Sequence, residues 1–305
     1  MRRWLIRAAV SAMVAGVLLT VVPIDSVLAA LKRISLRTWT ASLAIFFVGH
    51  YLNAIKLRLL VGRAFVPLGS CVRAQYAGLV ANLSLPGLAG GDLVRAAYLV
   101  PVAGVNRVAI GSVADRILDT VTLLALAVIA LPVAGVPAGI AHQSPGLRAS
   151  LVVLVGAALL AAAVWVLRRR PVFAEELVSI AAELGARRVD LTSAVVISLV
   201  VQSAFVLTNA WLAREVGVTT TLAAWFVAWP LSKLIAVLPI SLGGIGVREA
   251  ALVSLMAPYG APKDAVLASG FLWQTVLVVS GLIGLAASHW VLRPATIPSS
   301  SKASD

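Results

Sequence analysis

Apolar residues come in long blocks from the first residues to residue 292, with no long polar stretch between them. Runs at 8–23, 39–56, 105–131, 149–168, 192–213 and 264–292 are long enough, some with help from their flanks, for a bilayer core that needs about 20 helical residues. They predict six transmembrane helices. Two further blocks, 71–100 and 222–257, are interrupted near their middle by proline and paired glycine, which predicts broken or re-entrant helical hairpins. The fold class expected is therefore an all-α polytopic membrane protein. A single membrane domain spans residues 1–293, and a Ser-rich disordered tail occupies 294–305.

Composition sharpens this picture. Of 305 residues, 61% are hydrophobic and 12% charged, whereas a water-soluble domain carries about 25% charged residues. The net charge of +13 does not mark a nucleic-acid binder, because the basic residues cluster in short connectors where they set topology and attract anionic headgroups. A lone cysteine, Cys71, and three widely separated histidines, His50, His142 and His289, offer no disulfide, no metal site and no cofactor site.

Orientation follows from the basic residues. If both broken blocks enter and leave on one side and the N-terminus is cytoplasmic, the inner connectors hold Arg2, Arg3, Arg7, Lys56, Arg58, Arg63, Arg73, Arg168, Arg169, Arg170, Arg187, Arg188, Arg293 and Lys302. The outer connectors then hold only Lys32, Arg33, Arg37, Arg148 and Arg214, as the positive-inside rule requires. Residues 171–190 set Phe173, Leu177, Ile180 and Leu184 at helical spacing against Glu175, Glu176 and Glu183, the pattern of a helix lying on the cytoplasmic interface.

An internal repeat organises the spans. Leu85-Pro86-x-x-x-Gly90-Gly91-x-x-x-Arg95 recurs as Leu238-Pro239-x-x-x-Gly243-Gly244-x-x-x-Arg248, 153 residues on. Upstream, Asn53-Ala54-x-x-x-Arg58 recurs as Asn209-Ala210-x-x-x-Arg214, 156 residues on. Each half, about 1–135 and 145–293, then reads span, span, broken hairpin, span. Three crossings per half turn the second half upside down, the inverted-repeat plan of many transporters. Residues 1–30 imitate a secretory signal, but 8–23 pair with 149–168 in this scheme and are expected to be retained.

The breaks are the strongest sequence pointer to a site. A short helix is expected after Gly91, with Asp92 in its first turn and Arg95 one turn on, and another after Gly244, with Arg248 and Glu249. Free N–H groups and an arginine fork there suit phosphate oxygens. Asp115, Arg116 and Asp119 lie at helical spacings that place them on one side of a span, as a charged cluster. At about 2.5–3.5 kcal/mol for each charge at the membrane centre, they must face protein or water. Three roles fit them: proton relay, counter-charge to a substrate cation, and static pairing with Arg95 or Arg248. Asn82, Lys233 and Gln274 are further intramembrane polar candidates, and Ser84 and Ser241 are placed to satisfy backbone freed at the breaks.

At these residues the chain resembles the transmembrane, flippase-like domain family of lysylphosphatidylglycerol synthases and its stand-alone relatives. The segment Asn82-x-x-x-Pro86-x-x-x-Gly90-Gly91-Asp92-x-x-Arg95 is similar to the first family motif. The run from Leu238 through Pro239, Ser241, Gly243, Gly244 and Arg248 to Glu249 is close to the most specific one. Asp115-Arg116-x-x-Asp119 also resembles a family segment, with Asp where Glu is more usual. Gln274 stands where the family pattern has arginine.

The aminoacyl-transferase domain of the full synthases does not follow here, so the resemblance implies lipid translocation and not lysyl transfer. It implies a bacterial inner-membrane protein whose partners are anionic phospholipids or polyprenyl and glycolipid phosphates, with Arg95, Arg248 and the paired glycines holding the phosphate. Asp115, Asp119 and Glu249 are then candidate carriers of a coupling ion. Two alternatives stand beside it. One is a membrane-embedded transferase using Asp92, Asp115 or Asp119 as base; the other is a noncatalytic membrane partner of a separate lipid-modifying enzyme.

Overall fold

A computed structural model describes residues 32–84, 89–134, 182, 185–237 and 246–286. Helices α1 (Leu36–Val61), α2 (Leu68–Ser84), α3 (Ala89–Ala103) and α4 (Val105–Ala130) precede α5 (Arg188–Glu215), α6 (Leu222–Val237), α7 (Val247–Met256) and α8 (Lys263–Ala286). A single 3₁₀ turn, Ala257–Tyr259, follows α7. Among the described residues there is no strand. The predicted runs 39–56, 105–131 and 192–213 fall in α1, α4 and α5, and most of 264–292 falls in α8. The expected spans at 8–23 and 149–168, most of the interfacial helix at 171–190 and the tail lie outside the described residues.

Local chemistry sets the helix limits. The Ser35 hydroxyl accepts the Thr38 N–H at 3.0 Å and caps the start of α1. Its end is turned at Gly62, whose φ of 117° is one that side chains resist. Only Gly104, at φ 80°, separates α3 from α4. In the first block expected to be broken, α2 ends at Ser84 and α3 begins at Ala89; in the second, α6 ends at Val237 and α7 begins at Val247. Residues 85–88 and 238–245, with Pro86 and Pro239, lie outside the described residues. Proline lacks the N–H a helix interior needs and disfavours helical geometry in the residue before it.

α1, α5 and residues Lys263–Gly284 of α8 are long and apolar enough to cross a membrane. α4 equals α1 in length, at 26 residues, but carries the charges of Asp115, Arg116 and Asp119. Its outer side shows Ile117, Val121, Val128 and Ile129, while Asp115 is buried. Apolar side chains outside and a carboxylate inside is the arrangement that lipid as solvent imposes. The protein is a multi-pass membrane protein.

α1 and α5 form the central pair and run antiparallel. The start of α1 meets the end of α5, where Glu215 accepts the Ser35 N–H at 3.2 Å and the Thr38 hydroxyl at 3.1 Å. Midway, the Phe46 and Phe205 rings stack at 5.7 Å, and the Gly49 backbone sits directly against Phe205. At the other end, Arg187 donates to the carbonyls of Leu59 and Leu60, and Arg63 pairs with Asp190.

The remaining helices are arranged around this pair in a matched way. α2 packs on α3 as α6 packs on α7, and α3 on α4 as α7 on α8. α1 touches α2 and α4 as α5 touches α6 and α8. α4 crosses to α5 and α6, and α8 crosses to α1 and α2. A core of Phe46, Phe205, Trp225, Trp229, Trp273 and surrounding aliphatics fills the contact between α1, α5, α6 and α8.

Candidate functional site

α3 begins at Ala89, three residues before the expected start at Asp92, so Gly90 and Gly91 lie inside its first turn with Asp92. Asn82 and Ser84 belong to the last turn of α2. At Gly78 of α2, an added Cβ would fall 2.9 Å from both the Gly91 carbonyl oxygen and Arg95 Cγ. That bare backbone lets α3 lie close and lays the Arg95 stem across α2. Pro86, Pro239, Ser241, Gly243 and Gly244 lie outside the described residues.

Arg95 and the α4 carboxylates are assembled into one chain of charge pairs. The guanidinium of Arg116 donates to Asp92 through Nε at 2.8 Å and again through Nη2. Asp92 also accepts from Arg95 Nη1 at 3.1 Å, and Arg95 Nη2 reaches Asp115 at 2.8 Å. Asp115 lies 3.0 Å from the ammonium of Lys56 on α1, which in turn lies 2.5 Å from Asp119. Asp119 finally accepts the Ser198 hydroxyl of α5 at 2.8 Å. The chain surfaces at one end, where the Arg116 side chain is 53% exposed, and is sealed in the middle, where Lys56 is 0% exposed.

Two expectations change here. Asp115, Arg116 and Asp119 do not act as one patch: the two carboxylates converge on Lys56, while Arg116 turns to Asp92. Lys56, expected in a cytoplasmic connector, lies within α1 as a fully buried intramembrane cation. Such a cation is costly in hydrocarbon unless paired. The two carboxylates supply that pairing.

The start of α7 carries a smaller counterpart. Glu249, in the first turn of α7, accepts the Gly246 N–H at 2.8 Å and pairs with the neighbouring Arg248. A carboxylate there also complements the positive end of the helix dipole. Gln274 of α8 donates to the same Glu249 at 3.5 Å, and at Gly270 a Cβ would fall 2.9 Å from Glu249 Cγ. The Arg248 guanidinium lies 5.4 Å from the Trp229 ring centroid, and its buried Nε has no hydrogen-bond partner among the described residues.

Between the two arrangements, Lys233 of α6 donates to Gln202 Oε1 of α5 at 2.9 Å and lies 6.0 Å from the Phe205 ring. His50 and Gln75 share a contact at 2.9 Å nearby. Sequence reasoning missed Gln202, a neutral amide inside a long apolar run, because nothing local to it calls for a partner. Among the described residues no group of three or more His, Cys, Asp and Glu side chains is placed to hold a metal ion.

The site is thus a polar seam through an apolar bundle, shared by α1, α3, α4, α5, α6, α7 and α8. In sequence, residues 4–284 match the family model described as lysylphosphatidylglycerol synthase TM region. No curated protein matches the chain.

Proposed function

The chain belongs to the lysylphosphatidylglycerol synthase TM region family, and from that premise we propose that it moves an anionic or phosphate-linked lipid between the leaflets of a bacterial inner membrane. The observation that carries this reading is the charged seam from half-exposed Arg116 to Ser198 on α5, set in an otherwise apolar interior beside the starts of α3 and α7. A headgroup entering between the hairpins exchanges water for this seam while its acyl chains stay in lipid. Arg95 and Arg248 are the phosphate contacts, each held in place by its own carboxylate, and backbone around Gly90, Gly91, Gly243 and Gly244 completes the cradle.

The architecture proposed for this task is six full spans and two broken hairpins in two inverted repeats. The matched packing of α1–α4 and α5–α8 supports it. So does the antiparallel run of the equivalent helices α1 and α5, because a two-fold axis relating them lies across the helices and therefore in the membrane plane. Alternating access then rocks the two halves about the α1–α5 pair, which is tied at both ends. Asp115, Asp119 and Glu249 are the groups through which an ion gradient is coupled.

The test compares wild-type protein with Arg95→Ala and Arg248→Ala in liposomes containing fluorescent phosphatidylglycerol, following loss of the label to a membrane-impermeant quencher. Wild type is expected to expose the inner-leaflet label, and both variants to slow it. An unchanged rate in both variants overturns the assignment of the phosphate contacts.

A further inference from the structure

Two opposite charges are held on successive turns of α5 by neutral groups. Asp119 of α4 accepts the Ser198 hydroxyl at 2.8 Å, and the partly buried Lys233 ammonium of α6 donates to Gln202 Oε1 at 2.9 Å. Ser198 and Gln202 stand at i and i+4 and share one face of α5, a spacing that sets Cβ atoms about 5–6 Å apart. α4 and α6 also pack directly on each other. The carboxylate and the ammonium therefore meet the same short stretch of α5 from two neighbouring helices. Among the described residues Asp119 acts on Lys233 more strongly than any other charge, and it attracts, while Arg116, Lys56 and Arg248 repel. Lys233 nonetheless forms no ion pair among the described residues, and its other contact is the Phe205 ring at 6.0 Å.

Lys56 is what keeps the two apart, because it holds Asp119 at 2.5 Å. It does not depend on Asp119 alone: Asp115 lies 3.0 Å from the same ammonium and keeps Arg95 at 2.8 Å besides. If Asp119 turns to Lys233, Lys56 retains Asp115. The exchange swaps one ion pair for another and strands no charge, the condition for two arrangements of comparable energy.

The helix that carries Lys233 has a weak point beside it. Pro230 lies inside α6, three residues before Lys233. It denies the Phe226 carbonyl its helical hydrogen bond, so the end of α6 pivots more readily than a continuous helix. α4 is pinned by contrast, since a Cβ at Gly111 would fall 2.5 Å from Val61 Cγ2 and 3.0 Å from Val61 Cα at the end of α1. Lys233 is the partner free to move.

We propose that Lys233 is the movable part of a latch, exchanging Gln202 for Asp119 in a second conformation and so joining α6 to α4 across the two halves of the chain. In the described arrangement Asp119 pairs with Lys56 of its own half; in the second it pairs with the other half. This rests on the alternating-access reading above, to which it supplies the contact that tells the two states apart.

Spin labels at Ile117→Cys of α4 and Ile235→Cys of α6, both exposed and close to the pair, report the α4–α6 distance in the full chain in liposomes by double electron–electron resonance. Buried Cys71 is replaced by alanine. Gln202→Leu removes the resting partner of Lys233. It should raise a second distance population, displaced by up to about 5 Å or one helical turn, roughly fivefold relative to the first, the scale of one hydrogen bond. Adding Lys233→Gln or Asp119→Asn to Gln202→Leu should abolish that gain, whereas simple loosening between α5 and α6 would survive both. Size-exclusion profiles mark variants that fail to fold, and Lys233→Gln, which leaves the pairs of α4 intact, then carries the comparison. Distances that do not respond to Gln202→Leu, or a response that persists in either folded double variant, overturn the latch. The labelled parent is also assayed for movement of fluorescent phosphatidylglycerol. If it moves none while the distance pattern holds, the translocation reading falls and the latch stands; movement with unresponsive distances leaves translocation intact and overturns the latch.

Discussion

Removing the Lys56 ammonium should be among the more damaging single changes in this protein. In Lys56→Met a side chain of similar length stays in the same fully buried place, so packing changes little and electrostatics dominates. Two carboxylates lose a cation, Asp115 at 3.0 Å and Asp119 at 2.5 Å. They do not lose equally. Asp115 keeps Arg95 at 2.8 Å, whereas Asp119 is left with the neutral Ser198 hydroxyl and a side chain that is 20% exposed. Breaking a buried pair costs about 3–5 kcal/mol, and the partial exposure of Asp119 puts this case near the lower end, about 3 kcal/mol. Neutralising the orphan in Lys56→Met/Asp119→Asn should recover about 2 kcal/mol, a coupling of the size direct neighbours show. Reversible SDS unfolding in mixed micelles, followed by far-UV circular dichroism, supplies both single variants and the double. A loss under about 1 kcal/mol for Lys56→Met, or an Asp119→Asn change that adds to the damage, refutes the paired-seam reasoning.

Gly49→Ala places a Cβ 2.6 Å from Phe205 Cε1 and 2.7 Å from Cζ, and that ring is held by Phe46 and Trp273. The same titration should show a loss of about 1–3 kcal/mol, relieved by Phe205→Leu. If the halves rock about α1 and α5, a disulfide between Ser35→Cys and Glu215→Cys, whose parent residues already touch, should leave lipid movement near the wild-type rate. One between Val80→Cys and Gly284→Cys, where α2 meets α8, should slow it sharply, with recovery on reduction in the same liposomes.

The long spans were legible because hydrocarbon demands continuous apolar sequence. The runs at 39–56 and 192–213 lie within α1, which extends to Val61, and α5, from Arg188 to Glu215, and 105–131 lies within α4 but for its last residue. The breaks expected at Pro86 and Pro239 rest on an equally local argument, the backbone donor that proline lacks, and fall on residues outside those described. Glu249 and Arg248 are adjacent in sequence, so their pairing needs no knowledge of the fold. Lys56 is the instructive miss. A basic residue at the end of an apolar run reads as a side chain reaching the headgroups, but the helix continues to Val61 and the partners that hold it inside lie about sixty residues away on α4. The Ser198 bond to Asp119, 79 residues distant, joins the two halves and leaves no mark in either segment. Long-range pairing of this kind is set by packing, and periodicity does not report it.

Lipid movement by the isolated chain is the claim on which the functional account depends. Purified wild-type protein should be reconstituted into liposomes with labelled phosphatidylglycerol in both leaflets and exposed to dithionite. The account predicts that quenching proceeds beyond the outer-leaflet pool to most of the inner-leaflet label, at a rate that rises with protein per vesicle. Quenching that halts at the level of protein-free liposomes, with the protein folded and inserted, would contradict it.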